Sequence, residues 1–264
     1  MSIVWFNGAL VEGPLALDAG DRGLTLGDGI FETLAVQSNH VIWLEEHLAR
    51  MAAAAAELGI GFEISKIETG IAEVLQHNDF PSAVLRITLT RGLVQPRSLT
   101  GHGTNPNLMI TLSQFDGSKG QSITLGLSTI RRNESAPSSR LKTLSYIDNI
   151  AAAREVTARA DDALMLNTKG HVACTSIGNL FLLKHSQLIT PRADQGILCG
   201  IARAKLLPEA HEAIVTLADV FAADAVFRTN SLRLLTPVTK LDDKPLGSHS
   251  LDAIKRLILE RTKP

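Results

Sequence analysis

Two periods of apolar residues alternate along the first 115 positions, and each change of period marks a new element. Residues 3–6 (IVWF) and 9–11 (ALV) flank Asn7-Gly8, the pair that most favours a two-residue turn, so the chain opens on a predicted β-hairpin. Four glycines fall in the ten positions from Gly20 to Gly29, which predicts tight turns and a loop, followed by an apolar strand up to about residue 36. From Trp43 to Leu58 the residues Leu44, Leu48, Met51, Ala52, Ala55 and Leu58 recur at helical spacing, and Gly59 closes the segment. A second helix is predicted over 64–77. Beyond it Leu85, Ile87 and Leu89 alternate with Arg86, Thr88 and Thr90, which is the period of a strand with one polar face. Residues 93–107, rich in Gly, Pro, Thr and Asn, read as a long loop that contains Arg97, and a strand over 108–115 follows.

The second half has a different rhythm. After a polar, glycine-containing link at 116–121 come a strand (122–130), a Ser/Pro-rich loop (135–139) and a helix over 147–160 without internal Gly or Pro. Short strands are predicted at 163–167, 171–174, 179–183 and 188–191, helices near 200–207 and 217–222, and a strand at 225–228. A closing amphipathic helix runs from Leu251 to Arg261 with Ser250 as its N-cap. Runs of strands with interspersed helices predict an α+β protein rather than a doubly wound sheet. The link divides it into a smaller N-terminal α+β domain (1–115) and a larger C-terminal domain (122–264).

Composition narrows the class. Hydrophobic residues make up 45% and charged residues 20% of 264 positions, as in globular proteins. A formal net charge of −1 without a basic run argues against nucleic acid and anionic membrane surfaces as partners. No apolar stretch reaches the roughly 18 residues of a membrane span, and the N-terminus has no signal-peptide pattern. The two cysteines, Cys174 and Cys199, are too few for a disulfide framework and suit the cytoplasm. The eight histidines show no H-E-x-x-H spacing, so a metal hydrolase is discounted and no metal is expected.

Three places carry candidate chemistry. Lys142 follows the Ser/Pro-rich loop and precedes a helix. A lone lysine is ordinarily a solvated surface group, whereas an enclosed one sheds its proton readily and condenses with an aldehyde. Gly200-Ile201-Ala202-Arg203 opens a helix, where first-turn amides suit a phosphate, and Arg228-Thr229-Asn230-Ser231 follows a strand with amides and hydroxyls that suit an anion nest. Either is equally at home in an ordinary turn.

The order of these stretches is more specific than any one of them. DRGLTLGDGIFET (21–33), HLARM (47–51), TRG with a later arginine (90–97), RRN (131–133), RLKTLSYIDNIAAARE (140–155), Asn-Leu-Phe (179–181), TPRADQGILCGIAR (190–203) and TNSLRLLTPV (229–238) together resemble the class IV aminotransferases. These are the fold type IV enzymes dependent on pyridoxal 5'-phosphate (PLP), which include branched-chain and D-amino acid aminotransferases and 4-amino-4-deoxychorismate lyase. The resemblance implies a barrel-like C-terminal domain that binds the cofactor. It implies that Lys142 joins the cofactor and moves the substrate proton, and that Arg50, Ile201, Ala202 and Ser231 grip the phosphate. Tyr146 and Cys174 would also lie at the cofactor, while Phe31 and Arg97 line the substrate pocket. It further implies a homodimer and small amino acid or keto acid substrates.

One position departs from the pattern. Five residues before Asn179 the family carries a glutamate that pairs with the pyridine nitrogen, and this chain has Cys174. A neutral thiol cannot keep that nitrogen protonated, so the ring would draw electrons less strongly unless a depressed thiol pKa or a neighbouring residue supplied an anion. The leading expectation is an aminotransferase acting on branched-chain or D-amino acids, although Ser98-Leu99 after Arg97 lacks the Arg-x-His carboxylate trap of the D-amino acid enzymes. The alternative is the lyase, which releases pyruvate and 4-aminobenzoate and asks less of the ring because its product is aromatic. A non-catalytic relative is the third possibility, against which the presence of Lys142 and both phosphate elements speaks.

Overall fold

The computed structural model describes residues 3–78, 80–103, 105–116 and 122–263. The chain divides into two compact units, Met1–Gly117 with Leu141–Ser145, and Ser118–Arg140 with Tyr146–Pro264. Of the link expected at 116–121, all but Asp116 lies outside the described residues.

The first unit begins with the hairpin of β1 (Ile3–Phe6) and β2 (Ala9–Glu12), turning at Asn7 (φ 49°) and Gly8 (φ 103°). Where the glycine-rich stretch predicted only a loop, a short helix α1 (Arg22–Leu26) forms. Its cap Asp21 accepts locally from Leu24 N at 3.1 Å and, across the fold, from Thr90 Oγ1 at 2.6 Å and Asn107 Nδ2 at 2.7 Å. Then come β3 (Gly29–Gln37), β4 (His40–Val41), α2 (Leu44–Leu58), α3 (Ile64–Gln76), β5 (Ser82–Thr90) and β6 (Leu108–Gln114). The six strands form one antiparallel sheet in the order β2-β1-β6-β5-β3-β4. Ile30, Leu34, Leu85, Ile87 and Ile110 on one face pack with Leu48 and Met51 of α2 and Ile67 and Ile71 of α3. Gly70 lets α3 lie close to the sheet, since a Cβ there would meet Trp5 at 2.6 Å.

The segment 141–145 belongs to this unit because it pairs with the edge of β3. Phe31 N donates to Lys142 O at 3.0 Å and Leu144 N to Gly29 O at 2.9 Å, with Thr143 opposite Ile30. Only two residues of β4 pair with β3, so the rest of that edge is open to the Lys142 segment.

The second unit contains β7 (Ile123–Leu127), a helical turn α4 (Pro137–Arg140) inside the Ser/Pro-rich stretch, and α5 (Ile147–Val156), shorter than the predicted 147–160. Next are β8 (Asp162–Leu166), β9 (Val172–Thr175), β10 (Asn179–Lys184), β11 (Gln187–Pro191), α6 (Ile201–Leu206), β12 (Ala210–Ala213) and α7 (Leu217–Ala222). The unit closes with β13 (Ala225–Asn230), β14 (Leu234–Leu241), β15 (Lys244–Pro245) and α8 (Asp252–Glu260). Leu251, not Ser250, is the N-cap of α8, and Ser250 Oγ accepts from Asp252 N at 3.2 Å one position earlier. The strand path β12-β11-β10-β13-β14-β7-β8-β9 mixes parallel and antiparallel pairs, and β9 at its end also packs against β10 and β11, so the sheet curls back on itself. Its core is Leu125, Leu164, Val172, Leu180, Leu182, Val226 and Val238. No described helix is long and apolar enough to cross a membrane.

Candidate active site

In the first unit, β3 separates two sets of polar groups by its alternation. Phe31 points to the face of the sheet opposite Ile30, Glu32 and Leu34. On the Phe31 side, the Lys142 amine lies 4.2 Å from the ring centroid and the Arg86 guanidinium carbon 3.9 Å from it. Lys142 keeps some exposed surface as a residue, but its amine is enclosed. Burial is the leading cause that brings its pKa down from 10.5 to about 8, with Arg50 and Arg86 lowering it further against the opposing pull of Glu32. An amine of this proton affinity gives up its proton far more readily than an ordinary lysine, as a nucleophile and proton carrier must.

On the opposite face Glu32 is buried, and helix α2 supplies its partners. Its Oε1 accepts from Arg50 Nε at 2.8 Å, and its Oε2 accepts from Arg50 Nη2 at 2.6 Å and lies 2.7 Å from His47 Nδ1. Burial alone would raise the Glu32 pKa, but the bonds from His47 and Arg50 outweigh it and hold the carboxyl at about 2. Burial pushes the His47 pKa down against the opposing pull of the Glu32 hydrogen bond, which favours a neutral imidazole at this contact. Arg97 lies exposed in the 93–107 loop and joins none of these groups. That loop is tied by Arg22, whose Nη1 donates to Ser98 O at 2.6 Å.

In the second unit, Ile201 and Ala202 open α6 behind Gly200, and no side chain caps the helix. The glycine is required by close approach: a Cβ would collide with Asn179 Oδ1, while Asn179 Nδ2 donates to Leu198 O at 2.8 Å and fixes the turn leading to the helix. Ser231 follows β13 in a turn closed by Asn230 Oδ1, which accepts from Leu232 N at 3.2 Å and Arg233 N at 2.8 Å. Beside it the buried Thr229 hydroxyl has no hydrogen-bond partner among the described residues. Tyr146 stands at the N-cap of α5.

Cys174, on β9, is buried with Ala173 and Ile197. Burial pushes its thiol up to about 11, against the attraction of Arg132, so it remains a neutral S–H. Burial thus acts against the depressed thiol pKa that would have restored an anion. Arg132 donates to Gly196 O, Ser139 O and Asn149 Oδ1 at 3.1, 2.6 and 3.1 Å. The buried carboxylate whose charge acts on the thiol, Asp162, is committed elsewhere: Arg228 Nη1 lies 2.6 Å from its Oδ2 and Ser176 Oγ 2.5 Å from its Oδ1.

Sequence reasoning passed over Glu32, His47, Arg86 and Arg132. A signal for the first was present, because a glutamate inside the apolar run GIFETLAV must find a cation or bury a bare charge.

Residues 29–241 match the family model for amino-transferase class IV, and the chain belongs to that family. A protein of Methanocaldococcus jannaschii, provisionally assigned as a branched-chain-amino-acid aminotransferase, is 28% identical over 98% of this chain and 95% of its own. The aminodeoxychorismate lyase of Bacillus subtilis is likewise 28% identical, over 97% and 92%. Among solved structures, one from Legionella pneumophila provisionally assigned as 4-amino-4-deoxychorismate lyase superposes with a TM-score of 0.86 at 32% identity, covering 95% and 96% of the two chains. The fold is therefore that of the fold type IV enzymes, and PLP is the family's cofactor. The residues present fit it in two respects: an enclosed amine of lowered proton affinity, and an orphaned buried hydroxyl at Thr229 beside a turn rich in amides. Cys174, a buried thiol held neutral by its surroundings, carries no negative charge to offer a cofactor.

Proposed function

We propose that the protein is an aminotransferase that moves the amino group of a small carboxylate-bearing amino acid, of branched-chain or D-amino acid type, to a 2-keto acid. The observation that carries this reading is the Lys142 amine, enclosed against Phe31 with a pKa of about 8. When bound, PLP supplies an aldehyde with which an amine condenses and a ring that withdraws electrons from the adjoining carbon. Lys142 would be the residue that holds the cofactor through its Nζ, and its free amine would take the proton from the amine-bearing carbon and deliver it to the cofactor carbon. Arg50, the first amides of α6 at Ile201 and Ala202, and the Ser231 hydroxyl hold the phosphate. Tyr146 and Cys174 contact the cofactor, and Phe31 shapes the substrate side. Arg86, stacked on the same ring, offers a guanidinium fork for a substrate carboxylate, and Arg97 supplies a second one.

The two units act as the smaller and larger domains of a cytoplasmic homodimer, with the 116–121 link between them. This last reading rests on family resemblance and on a composition suited to a soluble enzyme.

A second reading is favoured by one specific observation. The neutral Cys174 thiol leaves the ring a weaker electron sink, which an elimination yielding an aromatic product tolerates better than transamination does. That reading is 4-amino-4-deoxychorismate lyase.

A single-turnover absorbance experiment separates the two. The PLP-loaded protein is offered L- and D-amino acids, then 4-amino-4-deoxychorismate, in separate cuvettes. Conversion of the cofactor to its amine form by an amino acid, reversed by a keto acid, is the expected result. Unchanged spectra with amino acids, together with pyruvate release from 4-amino-4-deoxychorismate, would replace the aminotransferase with the lyase.

A further inference from the structure

Glu32 stands out among the described residues as a carboxylate placed where a sheet ordinarily puts an apolar side chain. Its neighbours on the same face of β3, Ile30 and Leu34, belong to the core, and it is 1% exposed. Burying a carboxylate is costly unless it is paired and hydrogen-bonded, and here both oxygens are engaged. The pairing is directional: the Nε–Nη2 edge of Arg50 meets the two oxygens of Glu32 in a fork, at 2.8 and 2.6 Å. Such a fork fixes the plane of the guanidinium as well as its position. His47, one turn before Arg50 on α2, holds Oε2 from another direction at 2.7 Å and keeps the carboxylate from turning with the arginine.

We propose that Glu32 is a positioning residue for anion recognition: held by His47, it fixes the plane and position of the Arg50 guanidinium for contact with the cofactor phosphate. The proposal rests on the reading of Arg50 as a phosphate ligand. Because the Glu32 carboxyl titrates only near pH 2, the fork persists across the whole working range. Glu32 also neutralises part of the charge that attracts the phosphate. Orientation and neutralisation therefore act in opposite directions, and the sign of the effect distinguishes them.

The test is a comparison of PLP with pyridoxal, which lacks the phosphate, titrated into the full chain freed of cofactor and followed by the absorbance of the bound form. Wild type should prefer PLP strongly, and Arg50→Gln should lose most of that preference. If Glu32 orients Arg50, Glu32→Gln lowers the PLP-to-pyridoxal affinity ratio at least tenfold while pyridoxal itself binds as before, and Glu32→Asp restores part of it. A merely structural glutamate would weaken both ligands alike, and that result overturns the proposal. So does an unchanged or raised ratio in Glu32→Gln while Arg50→Gln loses it. Should Glu32→Gln not fold, Glu32→Asp decides, because a wild-type ratio there also contradicts the orienting role. A wild type without phosphate preference, or one that Arg50→Gln leaves intact, would mean that Arg50 is not a phosphate ligand and would remove the basis of the proposal.

Discussion

Replacing Lys142 by methionine should stabilise the cofactor-free protein, because the native state holds that amine where charge is disfavoured. Its pKa falls from 10.5 to about 8, chiefly through burial. Below pH 8 the amine is charged in both folded and unfolded chains, and the folded chain carries the full desolvation cost. Between pH 8 and 10.5 the unfolded chain binds the extra proton, so stability rises with pH until both forms are neutral. At about 1.4 kcal/mol for each pH unit, the difference corresponds to about 3 kcal/mol. The 4.2 Å contact with the Phe31 ring returns about 1 kcal/mol of it, leaving roughly 2 kcal/mol. Methionine matches the length of the lysine stem and keeps its packing. Urea unfolding of Lys142→Met and wild type at pH 7 and pH 10, both free of cofactor, should show the variant more stable by about 2 kcal/mol at pH 7 and by much less at pH 10. A variant less stable than wild type at pH 7, or a difference that does not shrink with pH, would refute the reasoning.

Three further outcomes follow from the same geometry. Cys174→Glu introduces a carboxylate near Arg132 and should speed the half-reaction with amino acids at least tenfold, about 1.4 kcal/mol, while Cys174→Ser, which stays neutral, should change it little; stopped-flow absorbance reads both. Asp162→Asn leaves Arg228 buried beside a neutral amide and should cost about 3–5 kcal/mol in chemical denaturation, much more than loss of the exposed Lys66–Glu63 pair. Gly200→Ala drives a methyl group into Asn179 Oδ1 and should both destabilise the fold by about 1–3 kcal/mol and weaken PLP retention, read by thermal melting and by cofactor release on dialysis.

Much of the fold was legible wherever a local rule had no rival. Asn7-Gly8 specified the first hairpin, and the apolar stripe from Leu44 to Leu58 with Gly59 behind it specified α2, whose last turn ends with Gly59 at φ 65°. Helix α1 was not legible, because its five residues include none that is buried and it is held by Asp21 bonds to Thr90 and Asn107. The strand β14 was also missed, since TNSLRLLTPV was read for its chemistry rather than its period. At the site, the motifs marked Lys142 and Arg50, but nothing local to either showed Glu32 and His47 between strand and helix. Those contacts join positions 15 and 18 residues apart through the packing of α2 on β3. The protonation of Cys174 was likewise beyond the sequence, because it depends on burial by β9 and its neighbours.

Lys142 is proposed as the residue that carries the cofactor. Borohydride reduction of the PLP-loaded protein, followed by proteolysis and mass spectrometry, should find the phosphopyridoxyl group on the peptide containing Lys142, and the Lys142→Ala variant should take up none. A label on Lys169, Lys184 or any other lysine, or undiminished labelling of the alanine variant, would contradict it.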